Sequence, residues 1–454
     1  MKMEVKAILT TKSKVRTVVL FLAGVLIVGG YALRQRSFAA YNPVTATSNQ
    51  RYDAQIVNQT SLKSGYNLYA SGPYNTSAGN VRAVANGSKY NNDYVRVMQT
   101  KTTKTGSYAR LRYFNQYLGW MNVHGIKRVS FTQVARGTMQ QYDVIGTAAL
   151  EPYTNQPPVI VSTGYADKAH GVLNSGTGSV VYPLASLQKA MTAVMIQQLI
   201  DEGKLTASTL LSKYYPQVPY SSSITIAQML AMTSGLENTD ATPAKQMTEA
   251  QAFANMVKSL DSTNDHAFSY SDANYVLMAG IIAKVTGQSY AENLEDRILN
   301  PVGMSNTFMV TSAKPTFKDT LAVSYKNNGR QDYTSPSKMS YPRMSAIPGA
   351  GNLLSTPSDY YKFIIAIRNG TLLDEDQHND LLGYGTTYSG GVYVTRPGIY
   401  FNNGSFGGTG YHTGFFATDN NEHIAVVFTN QTPLGSGISG KNFVAKMYNV
   451  ATYY

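Results

Sequence analysis

The pattern of apolar and polar positions changes character three times along the chain. The first texture is an uncharged apolar run from Thr17 to Leu33, TVVLFLAGVLIVGGYAL. It has no polar face, so it does not read as the buried side of an amphipathic helix. Its length predicts a single membrane-spanning helix, with residues 1–16 as a cytoplasmic tail and 34–50 (RQRSFAAYNPVTATSNQ) as a polar linker. The second texture, residues 51–127, consists of short alternating segments such as Asn67-Leu68-Tyr69 and Tyr94-Val95-Arg96-Val97. Turn clusters such as Gly72-Pro73 and Asn86-Gly87 break them, which predicts a small all-β module. The third, residues 128–454, mixes helical-period stretches with strands and predicts one large α/β domain. Its clearest helix is Ala190, Met191, Ala193, Val194, Met195, Leu199 and Ile200, ended by Gly203.

Composition narrows the chemistry. The 454 residues contain no cysteine, which excludes thiol catalysis, disulfide scaffolds and cysteine-built metal sites. The six histidines are scattered and form no His-Glu-x-x-His pair, so neither metal nor cofactor is expected. The formal net charge of +12 is unevenly placed. Residues 51–127 hold ten Lys/Arg against Asp53 and Asp93, while 128–454 hold 21 against 23 acids. A basic module ahead of a nearly neutral domain implies a polyanionic partner. Lys2, Lys6, Lys12, Lys14 and Arg16 precede the apolar run, which puts the amino end inside and the bulk of the chain outside the cell. Nucleic acid is thereby set aside as a partner. An uncleaved anchor is favoured over a signal peptide cut near Ser37-Phe38-Ala39, because Arg34 and Arg36 stand just before that site.

The end of the middle module carries Tyr108-Ala109-Arg110-Leu111-Arg112 and then Leu118-Gly119-Trp120-Met121. This resembles the GW modules of Gram-positive surface proteins, SH3-like barrels named for the Gly-Trp pair. The resemblance implies binding to cell-wall polymer, teichoic acid or peptidoglycan, with Trp120 as a contact. The alternative reading of Trp120 is a core residue.

In the large domain, Ser186-Leu187-Gln188-Lys189 opens the apolar-periodic helix. At i and i+3 a hydroxyl and an amine share one helix face, and the helix N-terminus favours a developing oxyanion. Ser335-Pro336-Ser337-Lys338 repeats the spacing but contains a proline and leads into no helix. No Gly-x-Ser-x-Gly elbow occurs, which counts against a Ser-His-Asp hydrolase. A serine hydroxyl needs a nearby base, and Lys and Tyr serve only if one is drawn far below its ordinary value.

Ser186 is followed in order by Thr233-Ser234-Gly235, Tyr270-Ser271-Asp272, Gly349-Ala350-Gly351 and His412-Thr413-Gly414. The series resembles the penicillin-recognising serine hydrolases, in their class C β-lactamase-like branch. That resemblance implies an antiparallel sheet flanked by helices, with a helical subdomain. It also implies Ser186 as acylated nucleophile, Lys189 as its electrostatic partner and Tyr270 as general base, though the residues alone leave open which of the two loses its proton. The backbone N–H groups of Ser186 and Phe415 would form the oxyanion hole, and His412, Thr413, Gly414 and Asp272 would meet the substrate.

Two departures bear on that substrate. Asp272 stands where the family usually has Asn, and His412 where many relatives carry the Lys that binds a substrate carboxylate. Both weaken the grip on a C-terminal D-Ala or a β-lactam. They favour a D-alanyl ester of teichoic acid, which has an ammonium group and no free carboxylate. D-alanyl-D-alanine carboxypeptidase or β-lactamase activity is the alternative, and a non-catalytic wall-binding protein is a third reading. Asp272 has a second explanation, neutralising Lys189.

Overall fold

The computed structural model describes residues 42–452 except 58–65, 74–82, 153–155, 177, 239–241, 313–320, 327–330, 338, 397, 419–422 and 433–436. The expected membrane span Thr17–Leu33 lies outside the described residues. Among those described, no helix is long and apolar enough to cross a membrane. The chain divides into two compact units, Met1–Val129 and Ser130–Tyr454.

In the first unit the alternation of residues 51–127 is realised as an antiparallel sheet. Its strands, in spatial order, are Ala83–Asn86, Asn67–Tyr69, Gln116–Asn122, Gly106–Tyr113, Tyr94–Thr103, Tyr52–Ile56 and Ile126–Arg128. Val95, Val97, Ala109, Leu111, Leu118 and Met121 turn inward as its core. The Gly119-Trp120 pair has a steric reason. Gly119 sits at φ +125°, and a Cβ there would lie 2.6 Å from the carbonyl oxygen of Tyr69. Only glycine lets these two strands meet where Tyr69 pairs with Trp120. The linker expectation for 34–50 needs correction at its end: Val44–Ser48 is a strand that pairs with Tyr94–Thr103. All five of its residues are exposed, so it has no hydrophobic alternation to reveal it.

In the second unit a seven-stranded antiparallel sheet runs in the order Val159–Thr163, Gly146–Glu151, Ile424–Thr429, His412–Thr418, Ile399–Ser405, Val392–Arg396 and Tyr388–Ser389. The helix Gly440–Thr452 covers one face, where Gly414 meets Val444 and Phe416 packs on Tyr448. The helix Pro357–Arg368 covers the other, with Tyr360 against Phe415 and Phe428. The helical subdomain is built on Gln188–Asp201 and Asp272–Thr286. Both are buried nearly all round, as helices at the centre of a large core are. This is the β-lactamase/transpeptidase-like arrangement, and it brings the start of both helices to the edge of the sheet.

Candidate active site

The chain reaches Ser186 through a left-handed residue. Ala185 has φ +50°, an uncommon conformation for a residue with a Cβ. A short turn, Ala185–Leu187, then leads into the helix Gln188–Asp201. Thr413 holds this turn from behind, its hydroxyl donating to the Leu184 carbonyl at 2.9 Å. The Asn402 amide donates to the Ser186 carbonyl at 3.1 Å and to that of Gly391 at 2.7 Å. The strained position is thus fixed by sheet residues.

Three groups far apart in sequence converge on the hydroxyl. Lys189 Nζ lies 3.0 Å and the Tyr270 hydroxyl 2.8 Å from Ser186 Oγ. Lys189 is fully buried, and its ammonium also meets Asp272 at 2.7 Å and the Ala350 carbonyl at 2.9 Å. Burial alone would depress its pKa. The charge of Asp272, aided by Tyr270, outweighs burial and holds the amine above its ordinary range. A carboxylate and a backbone carbonyl can only accept, so this setting describes an ammonium and not a free base. Tyr270 is braced edge-on by Tyr388, at 5.8 Å between ring centroids. Burial pushes the neighbouring phenols of Tyr275 and Tyr388 well up, so they stay neutral, whereas Tyr270 is 39% exposed and open to the cleft.

The His412-Thr413-Gly414-Phe415 segment is placed differently from the sequence expectation. Side chains alternate along a strand, and here Thr413 faces the nucleophile while His412 and Gly414 face the helix Gly440–Thr452. A Cβ on Gly440 would lie 2.4 Å from the His412 ring, so the imidazole rests flat on that helix, on the far side of the sheet. Burial lowers its pKa to about 4, and it is neutral at neutral pH. Phe415 pairs with Asn402 on one side and Val426 on the other, so its N–H belongs to the sheet interior and not to an oxyanion hole. Thr413 supports the turn and lies behind Ser186.

The strand that does approach Ser186 is Ile399–Ser405. A Cβ on Gly404 would lie 2.8 Å from Ser186 N and 2.8 Å from Ala185 Cβ. Its neighbour Val392–Arg396 pairs only as far as Phe401, so residues 402–405 present a free backbone edge on that side among the described residues. Sequence reading missed Gly404, Asn402 and the Ala350 carbonyl. The available signal was the glycine-bearing stretch Asn403-Gly404-Ser405-Phe406-Gly407-Gly408, just ahead of the motif chosen.

Trp120, expected on the polymer-binding surface, is only 5% exposed. The Lys101 ammonium lies 4.9 Å from its ring centre. The exposed aromatic nearby is Tyr117, with the Arg110 guanidinium 4.1 Å from its ring. Trp120 therefore reads as a wall of the core carrying a cation on its face.

The His412 placement has a measurable consequence. Its folded pKa is depressed, so protonation favours the unfolded chain. The stability it contributes is complete above its ordinary value near 6.5 and is lost as pH falls toward 4. His412→Asn is expected to lose less melting temperature than wild type between pH 7 and pH 5, with Ser186 labelling unchanged at pH 7. A fall in labelling at pH 7 would return His412 to the substrate site.

Comparison with known proteins gives two family matches. Residues 131–446 match the Beta-lactamase family and 46–127 the GW (Gly-Tryp) dipeptide domain. PbpX of Bacillus subtilis, named as a penicillin-binding protein, is 30% identical over 321 residues, covering 67% of this chain and 75% of PbpX. A teichoic acid D-alanine hydrolase of Staphylococcus aureus is 29% identical over 254 residues, covering 54% of this chain and 61% of that protein. Among solved structures, FmtA from Staphylococcus aureus superposes with a TM-score of 0.60 at 25% identity, covering 71% of this chain and 90% of FmtA. D-amino acid amidase from Ochrobactrum anthropi SV3 shares the fold with a TM-score of 0.59 at 21% identity, covering 71% and 96%.

Proposed function

The chain belongs to the beta-lactamase family of serine hydrolases, and on that premise we propose that it removes D-alanyl esters from a cell-wall teichoic acid through a Ser186 acyl-enzyme. The observation that carries the catalytic part is the convergence of Ser186 Oγ with Lys189 Nζ and the Tyr270 hydroxyl. The relative named as a teichoic acid D-alanine hydrolase supports the substrate. His412 turns away from the cleft, so it is not the residue that would hold a terminal carboxylate there.

Lys189 is committed as an ammonium, so it cannot take a proton itself and leaves Tyr270 as the group in contact with Oγ that can. The Tyr270 oxygen, acting as base, accepts the Ser186 proton as Oγ attacks the ester carbonyl. The Ser186 N–H and an N–H from the free edge at Gly404–Ser405 receive the oxyanion. Tyr270 then passes its proton to the departing polymer hydroxyl, leaving a D-alanyl ester on Ser186. Water, deprotonated by Tyr270, attacks that ester; the Oγ–acyl bond breaks, Tyr270 returns the proton to Ser186 Oγ, and D-alanine is released. Asp272 is 20% exposed and lines the cleft. It sets the charge on Lys189 and offers a carboxylate toward the alanyl ammonium.

The first unit would hold the polymer. We assign this to Lys101 and Arg110 with Tyr117, whose cations lie over aromatic rings. Lys101→Gln combined with Arg110→Gln is expected to weaken binding to teichoic acid at low salt. The difference from wild type should vanish near about 1 M salt, where screening reaches a few ångströms. Binding unchanged at low salt would remove these residues from the polymer site. This reading places the enzyme outside the cell at a Gram-positive wall, as the amino-terminal charge pattern also suggests.

The test of the substrate is a comparison on the purified protein. D-Alanine release from D-alanylated teichoic acid should exceed release from a D-alanyl-D-alanine peptide. Strong labelling by a fluorescent β-lactam with no release from the polymer would instead favour a D,D-peptidase or β-lactamase.

A further inference from the structure

Beside Ser186 lies a polar cleft of about 640 Å³, its open mouth included. Asp272, Asn238 and Asn255 line it, and so does Arg343, on a short helix Tyr341–Ser345. Arg343 is the cationic side chain among the described residues of this lining; Lys189 is sealed beneath. The residue is half-buried, and one N–H of its guanidinium donates to the Gly407 carbonyl at 3.1 Å. A Cβ on Gly407 would lie 3.6 Å from Nη1 and 3.9 Å from Nη2, so the planar group lies close over that glycine. Gly407 belongs to the segment that follows the strand beside Ser186. The charge is therefore held near the sheet edge that His412 leaves empty.

We propose that Arg343 is the specificity residue of an anion subsite, taking the phosphodiester next to the scissile ester. The proposal rests on the teichoic acid reading and deepens it. In such a polymer the D-alanyl group is esterified to a polyol hydroxyl, and the neighbouring carbons carry phosphodiesters. The substrate thus presents a cation on one side of the reacting carbonyl and an anion on the other. The cleft carries the matching pair, Asp272 and Arg343, among its lining residues. A planar guanidinium offers several donors to phosphate oxygens, and a held one loses little freedom on binding. A small ester without a phosphate has nothing to place there, so Arg343 separates polymer from simple esters without touching the reacting atoms.

The experiment uses the full chain, wild type and Arg343→Gln, on D-alanylated polyglycerol phosphate and on D-alanine methyl ester. For the polymer, kcat/KM is expected to fall about tenfold or more, mostly in KM, since a charged hydrogen bond is lost. For the methyl ester it should stay within about twofold. Arg343→Lys should recover part of the polymer activity by restoring the charge. An equal fall on both substrates would make Arg343 structural, and no fall on either would also overturn the proposal. A fall confined to a D-alanyl-D-alanine peptide would assign the subsite to a carboxylate instead. A second readout stands if the polymer proves not to be the acyl donor. A glycerophosphoglycerol fragment without D-alanine should inhibit methyl ester hydrolysis by the wild type, and about tenfold more weakly in Arg343→Gln. No inhibition of the wild type would overturn the subsite whatever the donor is.

Discussion

Tyr270→Phe is expected to lower D-alanine release by about 10²- to 10⁴-fold, the usual worth of a positioned acid–base group. The phenylalanine keeps the edge contact with Tyr388 and removes only the oxygen 2.8 Å from Ser186 Oγ. The pH profile gives the sharper test. Lys189 is held above its ordinary range by Asp272, so it stays protonated from about pH 6 to 9 and cannot stand in as base. The residual rate of the variant should therefore show no recovery toward pH 9. If Lys189 were the base, Tyr270→Phe would keep most of its activity and titrate with the amine. Circular dichroism and an unchanged melting temperature would show that the comparison is between folded proteins.

Gly404→Ala should be nearly as damaging, for a steric reason. The added methyl would fall 2.8 Å from Ser186 N, inside any real contact distance, and the atom it meets is backbone. Either the strand or the Ser186 turn must shift. A displacement of about 1 Å at a reacting group costs about 100-fold. Labelling of Ser186 by a fluorophosphonate should slow by about that factor, with a stability loss of about 1–3 kcal/mol from overpacking. Gly383→Ala is the control: nothing lies within 4 Å of its Cβ, so neither labelling nor stability should fall. Wild-type labelling in Gly404→Ala would mean that Ile399–Ser405 is not the strand that frames the nucleophile.

The two variants also mark what could be read from sequence. The Ser186–Lys189 pair is a local fact, set by helical spacing, and the large apolar-periodic segment around it was legible for the same reason. Tyr270 depended on recognising a motif order across a separation of 84 positions, and the two hydroxyls do meet. The sheet edge was harder. Asn402 and Gly404 matter because their strand lies beside the Ser186 turn, a consequence of strand order that no local pattern carries. His412-Thr413-Gly414 looks equally suitable on paper. Its strand, however, is paired on both sides, and alternation sends His412 to the opposite face. Charge placement had a similar limit. A basic module was evident from counting, yet which cations sit over exposed rings required the pairing of Gly106–Tyr113 with Gln116–Asn122. Trp120 stood out by rarity, and packing put it inside.

Lys189 and Asp272 show how one substitution can rearrange roles without new parts. An amide at 272 would leave the buried ammonium with weaker compensation, and burial would then draw its pKa down. The carboxylate stabilises the charged amine and so passes the basic role to the phenol. The assignment of Tyr270 as base thus rests on the identity of residue 272 as much as on Tyr270 itself.

The most direct measurement is the mass of the Ser186-containing peptide after rapid acid quench of the full chain with D-alanylated teichoic acid. A single alanyl group esterified to Ser186 is the expected result. D-Alanine released at full rate with Ser186 unmodified and replaceable by Ala, or an acyl group derived from wall peptide on that serine, would contradict it.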